Sequence, residues 1–287
     1  MSSAATARRL WVLAEPFHAL TYFADEARDA FAAAGLRGFW AGYFAGRASP
    51  LGAVGAEVVS ATFVNFAPDF VARRVPGVWA DASPATALQA RLDGVDAAVR
   101  RVFGDEWVSS PGTIEAMELA ATAAAAVDVP GRPLAAANTA VVVPGEPHLV
   151  LWQALTTLRE HRGDGHTTAL VQREVDGVQA HVLAAAAGRS DRAWLQKAWG
   201  WDDTAWDGAV DGLTERRWLT GGELTDEGRA VVAGIEADTD RLARGPWRAL
   251  GDHGCDRLAE LLLPVRRAVV AAGNWPLGNP IGVPDLD

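Results

Sequence analysis

The feature that most constrains this chain is its helix-forming composition, because alanine, leucine, glutamate and arginine recur through most of its 287 residues. These residues have the highest intrinsic preferences for the α-helix. The alternating, turn-punctuated pattern of a β-sandwich is missing from the sequence. We therefore predict a mainly α protein. Hydrophobic residues make up 49% of the chain and charged residues 22%, which is typical of a protein with a buried core.

Clusters of proline and glycine divide the helical sequence into segments. Helices are interrupted at the strongest of these clusters, which lie at 111–112, 130–133 and 144–147. The clusters predict four segments: an N-terminal helical, winged-helix-like unit (1–110), a linker with one helix (111–147), a C-terminal winged-helix unit (148–245), and a C-terminal helix with an extended tail (246–287). The tail is predicted to be extended because prolines and glycines fill residues 273–280.

Two stretches of the chain, 49–59 and 164–175, are weakly alike. Each follows a long predicted helix that starts after a proline and a histidine, at Pro16 and His18 or at Pro147 and His148. Each precedes an apolar helix and a tryptophan-marked loop. This order predicts tandem pseudo-repeated helical units. The alternative is chance similarity between alanine-rich helices.

The strongest local pattern lies in residues 202–243, which follow the order helix, short strand, turn, short strand, long helix. Asp202 or Asp203 is placed to cap the first helix, and Thr225 is placed to cap the last. Gly221 and Gly222 favour a tight turn between the two strands. The pattern predicts that at least the second unit is a winged helix with a short β-hairpin wing. An unrelated helix–hairpin–helix is the alternative.

This segment resembles the C-terminal part of MarR-type winged-helix proteins, through Leu213, Arg217, Leu224, Thr225 and Gly228. Over nearly its full length the chain also resembles an uncharacterised helix-turn-helix-like family of high-GC bacteria. The motifs that carry this second resemblance are 16–19, 38–47, 158–166 and 279–280. The resemblance implies a helix-turn-helix scaffold, and it implies no activity.

The charge pattern disfavours the usual reading of DNA by this scaffold. In a winged-helix protein the helix before the wing enters the major groove and offers basic or amide side chains. Here that helix offers five acidic residues: Asp202, Asp203, Asp207, Asp211 and Glu215. The whole chain has a net charge of −10, whereas binding to a polyanion requires local positive charge. A non-standard DNA-binding mode through Arg189, Arg192 and Lys197 stays open.

The densest polar cluster is residues 159–166, where His161, Asp164 and His166 are the candidate catalytic residues. Histidine can act as a general base near neutral pH, and a carboxylate can orient it. Gly163 and Gly165 predict a bend that turns Asp164 and His166 back toward His161. The alternative is a structural network that pins a helix end. We predict no metal site, because the spacing of the two histidines matches no helical zinc motif and no third ligand stands at a recognisable distance, unless His148 or His181 folds in.

A second candidate cluster is residues 42–52, where Arg47 is placed to bind an anion and aromatic residues precede it. The candidate ligand-binding residues from both clusters and from the predicted helix starts are His18, Tyr22, Phe39, Trp40, Tyr43, Arg47, His148, Trp152 and Arg162. Twelve tryptophans also suggest an apolar cleft between the halves. The cofactor stays unknown: an isolated histidine can ligate haem, but no haem-attachment motif is present.

The predicted function is therefore the handling of an apolar or anionic small molecule, by a binder or an enzyme that has lost standard DNA reading. The alternative is a ligand-responsive winged-helix transcriptional regulator. The single cysteine, Cys255, fits a reducing compartment, and no apolar run is long enough for a membrane span. We expect a cytoplasmic protein, either a pseudo-dimeric monomer or a homodimer.

Overall fold

The computed structural model describes residues 3–276 and residue 283, and it is mainly helical. The α-helices of the first half are α1 (Ala4–His18), α2 (Leu20–Phe23), α3 (Asp25–Ala33), α4 (Phe39–Ala48), α5 (Ala56–Thr62), α6 (Pro68–Ala72), α7 (Val78–Asp81), α8 (Pro84–Phe103), α9 (Pro111–Ala125) and α10 (Pro133–Thr139). Those of the second half are α11 (Pro147–Val171), α12 (Gly177–Ala186), α13 (Arg192–Trp199), α14 (Asp203–Glu215), α15 (Asp226–Ala243) and α16 (Gly251–Ala271). Short 3₁₀ turns cover Ser49–Leu51, Trp107–Ser109 and Pro246–Ala249.

The helix starts follow from side chains that cap them. Ser83 and Ser110 each accept a hydrogen bond from a backbone N–H of the helix that follows, and each is followed by a proline at the first helical position. Asp202 caps α14 and Thr225 caps α15 in the same way, so both predicted caps are confirmed. Between these two helices, β1 (Leu219–Thr220) pairs antiparallel with β2 (Glu223–Leu224).

The predicted turn of this hairpin is also confirmed, since Gly221 and Gly222 both have positive φ. That conformation is costly for residues with a side chain and is readily adopted by glycine. No other sheet occurs in residues 3–276, so the N-terminal winged-helix-like unit has no wing there.

Two hydrophobic cores organise the described chain. One joins α4–α7 to α12–α15 and contains Phe44, Phe63 and Leu213. The other joins α1, α8, α9, α11 and α16 and contains Phe17, Trp152 and Leu258. In the second core α9 packs on α11, and α16 packs on α1. The stretch predicted as a linker with one helix thus holds two, α9 and α10, and α9 is part of a core.

Two local predictions were wrong. The predicted bend at Gly163 and Gly165 is absent, since α11 continues through both glycines to Val171. His18 ends α1, with Pro16 inside that helix, so it does not start a helix as His148 does. The two weakly similar stretches also differ in structure: 49–51 is a 3₁₀ turn, whereas 164–171 is helical. The extended tail is predicted over 273–280, and its part at 277–280 lies outside the described residues.

Candidate functional site

Aromatic side chains from α1, α2, α4 and α11 meet where the N-terminal helices cross α11. The His18 ring lies parallel to Trp152 at 6.1 Å between centroids and contacts the edge of Tyr22 at 5.3 Å. Tyr22 in turn lies 4.9 Å from Tyr43. The Trp152 indole N–H donates to the backbone carbonyl of His18 at 3.1 Å, which fixes α1 to α11. The fold therefore brings His18, Tyr22 and Tyr43 of the N-terminal helices together with Trp152, which is more than 100 positions away in sequence.

A pocket of about 190 Å³ opens beside these rings, between α2, α3 and α4. Its lining residues are Thr21, Tyr22, Arg28, Asp29, Phe31, Ala32, Gly38, Phe39, Gly42 and Tyr43. Phe31 forms one wall by packing on the glycine face of α4. A methyl group on Gly46 would stand 2.5 Å from the Phe31 ring, so a larger residue would displace that wall.

Behind Tyr43 lies a buried network of charged residues, which we call the arginine–glutamate network: Glu15, Arg47, Arg91, Arg159 and Glu160. Arg47 donates to both carboxylate oxygens of Glu160, at 2.9 and 3.0 Å, and to the Tyr43 hydroxyl at 3.1 Å. Arg159 bridges the two carboxylates, at 3.1 Å to each. Glu15 and Glu160 are at most 1% exposed. Such a pair of buried carboxylates is tolerated because each has an arginine partner.

Arg91 gives this network an excess of positive charge. Its guanidinium is 3% exposed and donates to the Gly46 carbonyl at 3.2 Å and to the Gln153 side chain at 3.0 Å. Burial lowers the pKa of Arg91 to about 10, although the charge of Glu160 opposes this. Three arginines thus face two glutamates inside the network. An anion brought close to Tyr22 would offset the extra charge.

The electrostatics of the neighbouring groups follow from this arrangement. Burial alone would raise the pKa of Glu160, but Arg47 and Arg159 outweigh burial and hold that pKa far below its ordinary value. Burial lowers the pKa of His18 well below its ordinary value, and Arg159 lowers it further. Glu160 is therefore a carboxylate and His18 a neutral imidazole at neutral pH.

Three buried polar atoms of the pocket lining, the aromatic group and the arginine–glutamate network have no hydrogen-bond partner among the described residues: Thr21 Oγ1, His18 Nε2 and Arg91 Nε. Buried polar atoms in proteins are nearly always paired, so each unpaired one needs an explanation. Thr21 lines the pocket itself, and the His18 ring touches Tyr22 in its wall. Unsatisfied polar atoms beside a pocket are what a site for a polar ligand presents.

The predicted catalytic residues have separate hydrogen-bond partners. His161 Nε2 lies 2.8 Å from Asp128, Asp164 accepts a hydrogen bond from the Ala135 N–H at 2.9 Å, and His166 Nδ1 lies 3.0 Å from Thr239. The partners come from the loop after α9, from α10 and from α15. Because α11 continues as a helix through these positions, Asp164 and His166 point to different sides of it.

The pKa shifts of these three residues also have local causes. Burial raises the pKa of Asp164 to about 6. Burial lowers the pKa of His166 to about 4, and it lowers the pKa of His161 although Asp128 opposes this.

The remaining candidate ligand residues divide between the two regions. Phe39 lines the pocket, and Trp40 stands behind it, packed edge-on against Phe70 at 5.0 Å. Arg162 pairs with Asp240 at 2.7 Å and does not reach this pocket's lining. His148 lies at the start of α11, 2.6 Å from Asp96.

Sequence reasoning missed three residues of this site, Glu15, Thr21 and Arg91, and the pairing role of Glu160. A signal for Glu15 was present, because it is a single charge inside an apolar run that forms a helix. Arg91 carried no such signal.

The surface formed by α14 and the hairpin is acidic in the structure. Asp203, Asp207, Asp211 and Glu215 are all exposed along α14. Arg192 pairs with Asp203 at 2.7 Å and Asp207 at 2.8 Å. Arg189, the other arginine considered for DNA contacts, pairs with Glu236 at 2.7 Å. A phosphate approaching this face would meet carboxylates, and two of the three basic residues before α14 are already engaged.

Comparison with known protein families gives one match, to a model described as a helix-turn-helix family, over residues 7–276. No curated protein and no solved structure matches the chain. Among the described residues, every helix is too short or too polar to cross a membrane.

Proposed function

Because this chain belongs to a helix-turn-helix family, we propose that it is a small-molecule-binding protein built on a winged-helix scaffold that has lost the usual mode of DNA reading. The observation that carries the proposal is the 190 Å³ pocket between α2, α3 and α4, with the positively charged arginine–glutamate network behind it. The acidic α14 supports the loss of DNA reading.

A MarR-type winged helix in the second unit is part of this proposal. The order α12, α13, α14, hairpin, α15 supports it, because a winged helix places three helices before the wing and one after it. Gly200, in the left-handed conformation, ends α13 two residues before the cap of α14, which makes a tight turn between the second and third helices.

Tandem duplication of one helical unit is a further part of the proposal. The pairing of helices supports it better than the weak similarity between residues 49–59 and 164–175 does. In the first half α3 packs on α8, and in the second half α11 packs on α15. Across the halves α9 packs on α11, and α16 packs on α1. Reciprocal pairing of this kind is typical of a two-fold arrangement, so we propose that one chain mimics a dimer.

The ligand we propose is a small aromatic or apolar molecule with an anionic group. An engineered cavity of about 150 Å³ holds benzene, so a pocket of about 190 Å³ has room for one ring and a small substituent. Tyr22, Tyr43 and Phe39 would contact the ring, and the excess charge of Arg47, Arg91 and Arg159 would favour the anion.

Binding without turnover is the simplest role for this site. The three candidate catalytic residues bind separate neighbours. No histidine is among the residues that line this pocket. His18 is the nearest imidazole to the pocket walls, and its Nδ1 is already engaged by Thr156 at 2.9 Å.

Native mass spectrometry of the purified full chain, with an absorbance spectrum, tests the proposal. We expect a bound species of one ring and a small substituent in the wild type, or capture of such a species from a cell extract. Ala32→Trp should abolish it, because Ala32 is an exposed residue at the pocket wall and the indole would fill the opening. Glu118→Trp, at an exposed site on α9, is the matched control and should retain the species. Equal occupancy in both variants would contradict the proposed site.

A ligand-responsive transcriptional regulator is the second candidate, and the family match is the observation that favours it. Salt-dependent retardation of DNA from the neighbourhood of its own gene, relieved by the ligand, would support this function. Absence of retardation at low salt would favour the ligand-binding protein without DNA reading.

A further inference from the structure

Three potential metal ligands meet where the start of α11 packs against α8. Asp96 comes from the middle of α8, Glu146 is the residue before α11, and His148 lies in the first turn of α11. His148 Nε2 lies 2.6 Å from an Asp96 oxygen, and His148 Nδ1 lies 3.9 Å from a Glu146 oxygen. One donor atom from each residue fits within 4.8 Å of the others.

The His148 ring makes this group more than a cluster of acids. Its side chain is 0% exposed, and Nδ1 has no hydrogen-bond partner among the described residues. If Nε2 donates to Asp96, Nδ1 presents a lone pair toward a Glu146 oxygen, which is also an acceptor. Two acceptors facing each other across 3.9 Å leave a position for a cation or a hydrogen-bond donor between them. A metal ion bonded to both would satisfy the buried Nδ1.

Arg100 now supplies positive charge from the outer side of the group. It donates to both Asp96 oxygens at 2.9 and 3.0 Å, and to Glu146 at 2.7 Å. It also reaches Asp105 at 2.9 Å, whose side chain is 82% exposed. Arg100 itself is 34% exposed, so it can turn away to Asp105 when another cation takes its place.

We propose that His148 Nδ1 and Glu146 bind a divalent transition-metal ion in exchange for the Arg100 side chain, while Asp96 holds the imidazole ring through Nε2. Imidazole nitrogen and carboxylate oxygen are ligands that zinc accepts, with bonds of about 2.0–2.2 Å. Two such bonds span the 3.9 Å between His148 Nδ1 and Glu146. Two protein ligands leave the other coordination positions to water. This site is separate from the pocket beside Tyr43 and does not depend on it.

The test is isothermal titration of the chelator-treated full chain with zinc chloride, together with metal analysis after dialysis. We expect one zinc ion per chain. Glu146→Gln should weaken zinc binding by more than about tenfold. Loss of a residue that only hydrogen-bonds to a metal ligand already lowers metal affinity by about tenfold or more, and Glu146 is proposed as a ligand itself. This variant should fold, because Glu146 is half exposed and its side chain caps nothing in α11.

Two further variants make the prediction specific. Arg100→Gln should tighten zinc binding severalfold, because it removes the cation that competes for Asp96 and Glu146. Asp105→Asn is the matched control, since it removes a carboxylate that touches Arg100 but is not a ligand, and it should leave zinc affinity unchanged or slightly reduced. Absence of stoichiometric binding in the wild type would overturn the proposal. Equal weakening by Asp105→Asn and Glu146→Gln would overturn it as well.

Discussion

The helix α11 carries two polar regions that differ in how their side chains are used. In its first four turns, Trp152 and Arg159 contact α1 and Glu160 contacts α4, and Arg159 and Glu160 also pair with each other. Directly after them in sequence, His161, Asp164 and His166 each bind a separate neighbour. The second region is denser in chemically active side chains along the sequence, but the first is the one beside a pocket. A candidate site is therefore recognised by polar side chains that meet in space beside a pocket. A high number of polar residues along a stretch of sequence does not identify one.

The largest expected effect is the loss of Glu160. Glu160→Ala should lower the free energy of unfolding by about 3–5 kcal/mol, because it leaves Arg47 and Arg159 buried without their shared carboxylate. Urea denaturation measures this change. Glu118→Ala, at an exposed site on α9, is the control and should stay within about 0.5 kcal/mol of the wild type. An equally small change in the free energy of unfolding for Glu160→Ala would contradict the view that Glu160 holds Arg47 and Arg159 in a buried network.

The second effect is on pH dependence. Burial lowers the pKa of His18 well below 6.5, and it lowers those of His166 and His181 to about 4, so the folded chain holds these imidazoles neutral. The unfolded chain binds their protons first as pH falls. Stability should be full above about pH 6.5 and should decrease toward pH 4, by at most about 1.4 kcal/mol per pH unit for each imidazole.

Asp164 has the opposite effect on stability. Because its pKa is raised to about 6 in the folded chain, its contribution to the free energy of unfolding increases as pH falls. One such group does not offset three histidines. Urea midpoints measured near pH 7 and near pH 5 test the sign, and a higher midpoint near pH 5 would show that the histidines are not held neutral.

A smaller effect is expected for Asp164→Ala, which removes the acceptor of the Ala135 N–H at the start of α10. Loss of such a cap costs about 1 kcal/mol in the free energy of unfolding. Asp164→Asn keeps an acceptor oxygen and should be nearly neutral. Both variants should bind ligand as the wild type does. Loss of ligand binding in Asp164→Asn would indicate that the region of His161, Asp164 and His166 takes part in function.

The smallest effect is expected for Tyr43→Phe. This change removes the hydroxyl that accepts from Arg47 at 3.1 Å but keeps the ring in the pocket wall. The free energy of unfolding should fall by about 1 kcal/mol, the usual worth of one hydrogen bond. Ligand affinity should fall as well if Tyr43 links the pocket to the arginine–glutamate network. An unchanged affinity with reduced stability would limit Tyr43 to a structural role.

Local features of the fold were predictable from sequence because neighbouring residues determine them. Asp202 and Thr225 cap the helices that directly follow them, and the glycine pair at 221–222 sets the hairpin turn. The glycines in α11 were misinterpreted for a physical reason. Gly165 is needed because the Arg132 guanidinium would lie 3.0 Å from a methyl group at that position, and not because the chain bends.

The candidate site was only partly predictable, because its contacts join residues remote in sequence. Tyr43 and Arg47 lie one helical turn apart, and their side chains were expected to act together. Glu15 and Arg159 are 144 positions apart along the chain, and no local pattern indicates that they pair. Arg91 was missed because an arginine within an ordinary amphipathic helix carries no sign of burial.

The most direct test of the pocket is ligand-observed fluorine NMR with para-fluorobenzoate, a single ring that carries one negative charge. The wild type and His166→Gln should both broaden the probe signal, and Ala32→Trp should not. Broadening that persists in Ala32→Trp and disappears in His166→Gln would contradict the placement of the ligand site between α2, α3 and α4.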